Sequence, residues 1–250
     1  MKITIAGQVV SQEQLDNWEY RHTRKALKNL GNRPKPADNL ATLRNSLNQL
    51  KQSLTYEEIV HRLGWKLKLM ALVMRYISRL SFGRVKYATC TLEVKGIRVE
   101  DFAPLAKEFI SKDSPAIRQI NLAANPEHYV LEPRGKLFEV VETAGASPLP
   151  IQFFIDFSSD QGLVSQADPA YPLQMVGRAY LATNMQIGGI RHQFRNTATG
   201  MEAKTLVEFP GACPSYIVKD HCLHLALEWK NWIEAARKII KDNNKTAGGY

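Results

Sequence analysis

Residues 215–240, SYIVKDHCLHLALEWKNWIEAARKII, read as one long helix near the end of the chain. Before it come five strand-like runs: 136–143 (KLFEVVET), 149–157 (LPIQFFIDF), 174–183, 186–196 and 201–209 (MEAKTLVEF). Turn signals separate them at Gly145, Gly162, Gly188-Gly189 and 196–200 (NTATG). Further upstream, 85–94 (VKYATCTLEV) is rich in β-formers and 99–111 has helical character. A strand, a helical segment, several consecutive strands and a long terminal helix predict an α+β helix-grip architecture. In it, a curved antiparallel sheet closes around the last helix and leaves a cavity between them.

The first 86 residues read differently. A helix is predicted over 11–30, with Ser11 and Gln14 placed for a capping box and Gly31 as its stop. A second is predicted over 38–54, beginning at Asp38 and carrying Leu40, Leu43, Leu47, Leu50 and Leu54 at spacings of three and four. A third, over 55–81, opens on Thr55 and Glu58. Its apolar residues, Trp65 to Leu80, fit a helix buried against a neighbour with Lys68, Arg75 and Arg79 facing water. The same pattern fits an interfacial membrane helix with snorkelling bases. Residues from 242 onwards read as a loose tail.

Charge divides at the same place. The chain of 250 residues carries a net charge of +9. Residues 1–86 hold 16 Lys+Arg against 6 Asp+Glu, a net of +10, and residues 87–250 hold 17 against 18. Two units follow: a basic helical segment, 1–86, and a helix-grip domain, 87–250. With 44% hydrophobic and 23% charged residues the composition is globular, which excludes wholesale disorder. Cys90, Cys213 and Cys222 are an odd number with no framework spacing, which argues against a disulfide-stapled secreted domain. There is no cleavage-site pattern after the short apolar stretch 3–10 and no run of about 20 apolar residues, so a cytoplasmic location is expected.

Candidate chemistry lies in the second unit. His224 and Glu228 are four apart on the terminal helix, so both emerge on one face and could bind one metal ion or simply hydrogen-bond at the surface. Glu142 interrupts an apolar strand and needs a partner if it points inwards. His128 follows Asn125-Pro126-Glu127 in a loop-like segment, and His192 alternates with Arg191 and Gln193 in a strand. Each of these has an ordinary reading as an exposed or cross-strand polar residue.

Three segments, 190–202 (IRHQFRNTATGME), 140–145 (VVETAG) and 224–232 (HLALEWKNW), together resemble the 2,4-diacetylphloroglucinol hydrolase and phloretin hydrolase family. Its signatures are a strand His-Gln-x-Arg-Asp/Asn-Thr followed by Gly-x-Glu, a strand Glu before a small turn, and a terminal-helix His-x-x-x-Glu with Asn three further on. The likeness spans roughly residues 97–240. It implies a START-like helix-grip protein holding a divalent metal, zinc by expectation, with two His and two Glu. It also implies hydrolysis of the carbon–carbon bond between an acyl group and a phenolic ring, a retro-Claisen reaction. Carried over, His224 and Glu228 are the helix ligands, Glu142 the strand carboxylate and His128 the remaining ligand. His192 is a substrate-side residue that hydrogen-bonds a phenolic oxygen or relays a proton. Tyr129 is a second candidate acid, and His221 is a possible substitute ligand. The expected ligand is a small aromatic ketone or polyketide-like molecule.

Two readings of other classes stand beside this one. The first is a non-enzymatic helix-grip binder of an apolar or aromatic ligand. The second is an adaptor whose basic helices in 1–86 touch an anionic partner, either nucleic acid or a membrane surface. No RNA-binding signature accompanies the basic residues.

Overall fold

The computed structural model describes residues 1–247, with side chains described to Asn243. Among the described residues the fold is α+β: six helices and one open nine-stranded antiparallel sheet. The strands are β1 (Lys2–Ile5), β2 (Gln8–Val9), β3 (Val85–Lys95), β4 (His128–Arg134), β5 (Leu137–Glu142), β6 (Ile151–Asp156), β7 (Leu173–Tyr180), β8 (Gln186–Thr197) and β9 (Gly200–Pro210). Their order across the sheet is β2-β1-β3-β9-β8-β7-β6-β5-β4. The helices are α1 (Gln12–Asn29), α2 (Leu40–Ser53), α3 (Tyr56–Leu80), α4 (Val99–Ser111), α5 (Pro115–Ala124) and α6 (Ser215–Ala247).

The N-terminal helices start where local chemistry dictates. Ser11 and Gln14 form a reciprocal capping box on α1, and Thr55 and Glu58 form another on α3. The cap of α2 is Asn39, whose side chain accepts the Thr42 N–H. Asp38, the expected start, instead accepts the Lys35 N–H in the preceding turn. At the other end α6 continues beyond residue 241, so 242–247 are helical rather than a tail; residues 248–250 lie outside the described residues.

Alternation on β5 and β6 builds two faces. Phe138, Val140 and Glu142 stand opposite Ile155, Phe153 and Ile151, and all six line one cavity under α4 and α6. Val141, on the other face, joins α1, α2 and α3 through Leu27, Leu43 and Leu63. The basic segment is therefore packed onto the sheet, and β1 extends that sheet by pairing with β3. Several of its cations serve inside the fold. Buried Lys51 donates to the Leu122 and Asn125 carbonyls at the end of α5, and Arg62 donates to the Leu30 carbonyl just past α1.

Helix α3 meets only part of its expectation as a buried helix. Ile59, Leu63, Leu67, Met70 and Met74 are buried, but Trp65 is 64% and Tyr76 57% exposed on the outer side. No helix among the described residues is long and apolar enough to cross a membrane.

Gly145 joins the β5–β6 turn to the start of α6. Its φ is +51°, and a Cβ there would overlap the Ile217 carbonyl oxygen and sit 2.8 Å from the His221 nitrogen. Gly145→Ala is expected to cost about 2–4 kcal/mol in urea unfolding, since left-handed strain and a backbone clash act together.

Candidate metal centre

Three elements aim side chains at one point. His128 opens β4 directly opposite Glu142, the last residue of β5, and α6 brings His224 and Glu228 on successive turns. The Nε2 atoms of His128 and His224 are 3.2 Å apart. Glu142 Oε2 lies 3.8 Å from His128 Nε2 and 3.7 Å from His224 Nε2, and Glu228 Oε2 lies 3.6 Å from His224 Nε2. Most of these separations are too long for hydrogen bonds. They match the spacing of donors around one ion, because ligands at 2.0–2.2 Å from a tetrahedral centre sit roughly 3.3–3.6 Å apart.

His128, Glu142 and His224 form a buried group that could hold a metal ion, and Glu228 stands beside it. The two histidines are fully buried and the two carboxylates are each 12% exposed at the side chain. His221 is not in the group: its ring stacks on His224 at 4.4 Å between centroids, with its Nδ1 unpartnered.

The tautomer of His128 suits ligation. Its Nδ1 lies 3.0 Å from the Asn121 carbonyl, which can only accept, so the proton is on Nδ1 and the Nε2 lone pair faces His224 Nε2. Asn121 is itself fixed, donating to the Phe109 carbonyl and accepting from the Trp232 indole. Behind the centre, buried Glu127 meets His22 Nδ1 at 2.6 Å and Lys25 Nζ at 2.9 Å, while Trp18 lies edge-on to His224. Helix α1 thus closes the rear of the site.

Burial dominates the electrostatics. It pushes His128 down to about 3 and His224 well below the usual imidazole range, where neighbouring His221 and His128 add to the effect. It pushes Glu142 up to about 8, with Glu127 contributing, and Glu228 well above the usual carboxylate range, with Glu142 contributing. Neutral imidazoles and reluctant carboxylates are what such a site holds without a cation, and a divalent ion reverses the preference of both carboxylates.

The cavity begins at this centre. It encloses about 140 Å³, and Glu142 and Glu228 face it together with His192, His221, Trp229 and mostly aromatic and aliphatic walls. That is close to the size of an engineered cavity that accepts benzene. His192 lies on β8 with its ring 4.7 Å from Trp229. Its Nδ1 accepts the Leu206 N–H, so the neutral ring carries its proton on Nε2. Burial pushes its pKa down to about 3.

Tyr129 is not at the site, which corrects its assignment as an acid. Next to His128 on β4, it points to the opposite face of the sheet, where its hydroxyl meets Asn29 and Thr143 among α1–α3. Sequence reasoning missed Asn121, Glu127 and Trp229. The Ser114-Pro115 pair, an N-cap followed by Pro at the first helical position, was the available signal for α5, which carries Asn121. The chain matches no family model and no curated protein.

Metal affinity should rise with pH. Both carboxylates must lose protons to bind a cation, and the metal-free protein keeps one on Glu142 up to about pH 8. Between pH 6 and 8 the dissociation constant for Zn²⁺, read by chelator competition, is expected to fall about tenfold per pH unit for each proton displaced. Glu142→Gln should flatten that slope by one proton, and a pH-independent constant would contradict the ligand set.

Proposed function

We propose that the protein is a metal-dependent hydrolase that cleaves the C–C bond between an acyl group and a phenolic ring. The observation that carries this reading is the convergence of His128, Glu142, His224 and Glu228 at the polar end of an otherwise apolar, ring-sized cavity. The resemblance of 140–145, 190–202 and 224–232 to the diacetylphloroglucinol and phloretin hydrolases supports it. So does a long C-terminal helix against an antiparallel sheet, which we read as a helix grip.

The donor set, two imidazoles and two carboxylates, fits zinc and balances its charge. When bound, such an ion supplies Lewis acidity for the acyl oxygen and lowers the pKa of a coordinated water towards ~7. The remaining steps belong to the chain. The aromatic walls hold the ring and keep bulk water from the reacting bond. His192 donates its Nε2–H to a phenolic oxygen, favouring the ring tautomer in which the carbon bearing the acyl group is tetrahedral and ready to leave. Hydrolysis adds the oxygen of one water to the acyl carbon and a hydrogen to the ring carbon, giving a carboxylic acid and the deacylated phenol. Since burial keeps His192 neutral, it works as a hydrogen-bond donor and relay, not as a standing cation.

The apolar cavity also suits a binder of aromatic ligands with no catalytic step. Metal content separates the two. Purified protein should carry close to one equivalent of zinc, manganese or iron by elemental analysis. His224→Ala and Glu228→Ala should lose it along with acyl-phenol cleavage, with kcat/KM falling by at least about 100-fold. Wild type without stoichiometric metal would sink the hydrolase reading and leave the binder.

A further inference from the structure

Helix α3 is apolar on two sides, and the fold covers only one of them. Leu63, Leu67, Met70 and Met74 are buried. Trp65, Leu69, Leu72, Tyr76 and Leu80, spaced four, three, four and four apart, form an exposed outer stripe. Just past the helix, Phe82 is 80% exposed at φ +49°, a left-handed conformation that is costly for a bulky side chain. Single apolar residues scattered over a surface are ordinary, but a contiguous apolar stripe rimmed by charge marks a docking site. Lys68, Arg75 and Arg79 run along one flank of this stripe, seven and four residues apart. None of the three has an acidic partner among the described residues. Cations on other surfaces are matched, Lys2 by Glu93, Lys112 by Glu108 and Arg195 by Glu202. From Ile59 to Leu92 the chain has seven Lys and Arg and no Asp or Glu.

We infer that the outer face of α3 docks on an anionic lipid bilayer, lying flat in the headgroup layer rather than crossing it. The apolar stripe enters the boundary between headgroups and acyl chains, and Lys68, Arg75 and Arg79 meet the lipid anions. Trp65 and Tyr76 suit that boundary because each joins an apolar ring to a polar tip. A second copy of the chain fits this face less well. In a two-fold pairing the same unpaired cations recur on both sides, and no carboxylate on the face answers them. The inner side of the same helix lends Met70, Met74 and Ile77 to the cavity wall, so docking sets the cavity one helix away from the bilayer. Docking requires neither a metal nor turnover at the centre.

Vesicle flotation with the full-length protein tests this. Vesicles of phosphatidylcholine with about 30 mol% phosphatidylserine, at about 0.1 M salt, are compared with phosphatidylcholine alone. Wild type should bind the anionic vesicles about 100-fold more tightly, at roughly fivefold for each of the three cations. Raising the salt to about 0.5 M should remove most of that difference. The variant Lys68→Gln/Arg75→Gln/Arg79→Gln should lose it at low salt as well. Trp65 gives a direct readout, because Trp18, Trp229 and Trp232 are buried. Brominated acyl chains should quench its fluorescence, and Trp65→Phe should abolish the quenching while binding stays within about threefold. Equal binding to neutral and anionic vesicles, or binding to neither, overturns the inference. So does a triple variant that binds anionic vesicles as wild type does. Wild type that stays off the vesicles and forms a dimer broken by Leu72→Ser assigns the face to a second copy and likewise overturns it. The lipid and salt comparison in wild type stands even where a variant fails to fold.

Discussion

His128, Glu142 and His224 converge on one point that water scarcely reaches, with Glu228 beside His224, and the balance of charge there constrains everything around it. An isolated carboxylate in such surroundings is costly, and two that lie close together are worse. Without a cation the cost is met by keeping protons on Glu142 and Glu228, both held above the ordinary carboxylate range. Four separate parts of the chain then have to be held against one another to aim these groups. The β4–β5 register sets His128 against Glu142, the pitch of α6 sets His224 above Glu228, a carbonyl of α5 fixes the His128 tautomer, and α1 closes the rear with Trp18. A site assembled from so many elements depends on the whole fold.

That dependence gives the N-terminal segment a role its charge alone does not suggest. Read as a sum, +10 over 86 residues points outwards to an acidic partner. In the fold, Lys25 and His22 reach Glu127 next to His128, Lys51 caps the helix that orients it, and Arg44 binds Glu19 on α1. These contacts tie α1 and α2 to the floor of the centre. Exposed apolar residues on the outer side of α3, beside Arg75 and Arg79, are the part of the segment that such internal pairing leaves unexplained.

Periodicity carried much of the fold. All three N-terminal helices, β3, α4, the strands from β5 to β9 and α6 follow from apolar spacing and turn residues. The failures are physical as well. Strands β1 and β2 are too short for alternation to register, and α5 has only 10 residues. His128 looked like a loop residue because Pro126 precedes it by two, yet it begins β4, where pairing with Glu142 overrides local propensity. At the centre, His224 and Glu228 were visible as an i,i+4 pair on one element. Glu142 and His128 needed the resemblance, since no spacing rule spans two strands. Tyr129 was misjudged because 125–128 read as a loop, which hid the strand alternation that sets it on the face opposite His128, and Trp229 was overlooked because a tryptophan on an apolar helix face is usually packing.

Trp229 and His192 line the cavity from the helix and from the sheet. Strand β8 holds His192 by a backbone N–H from β9, a bond that fixes both the ring orientation and the nitrogen carrying the proton. Helix α6 holds Trp229 one residue beyond Glu228, so the candidate centre and the indole share one rigid rod. His192 and Trp229 therefore line one cavity from the two layers at a separation set by helix–sheet packing. Packing of this density resists small displacements, so the sheet and the helix together fix how His192 is set relative to the candidate centre.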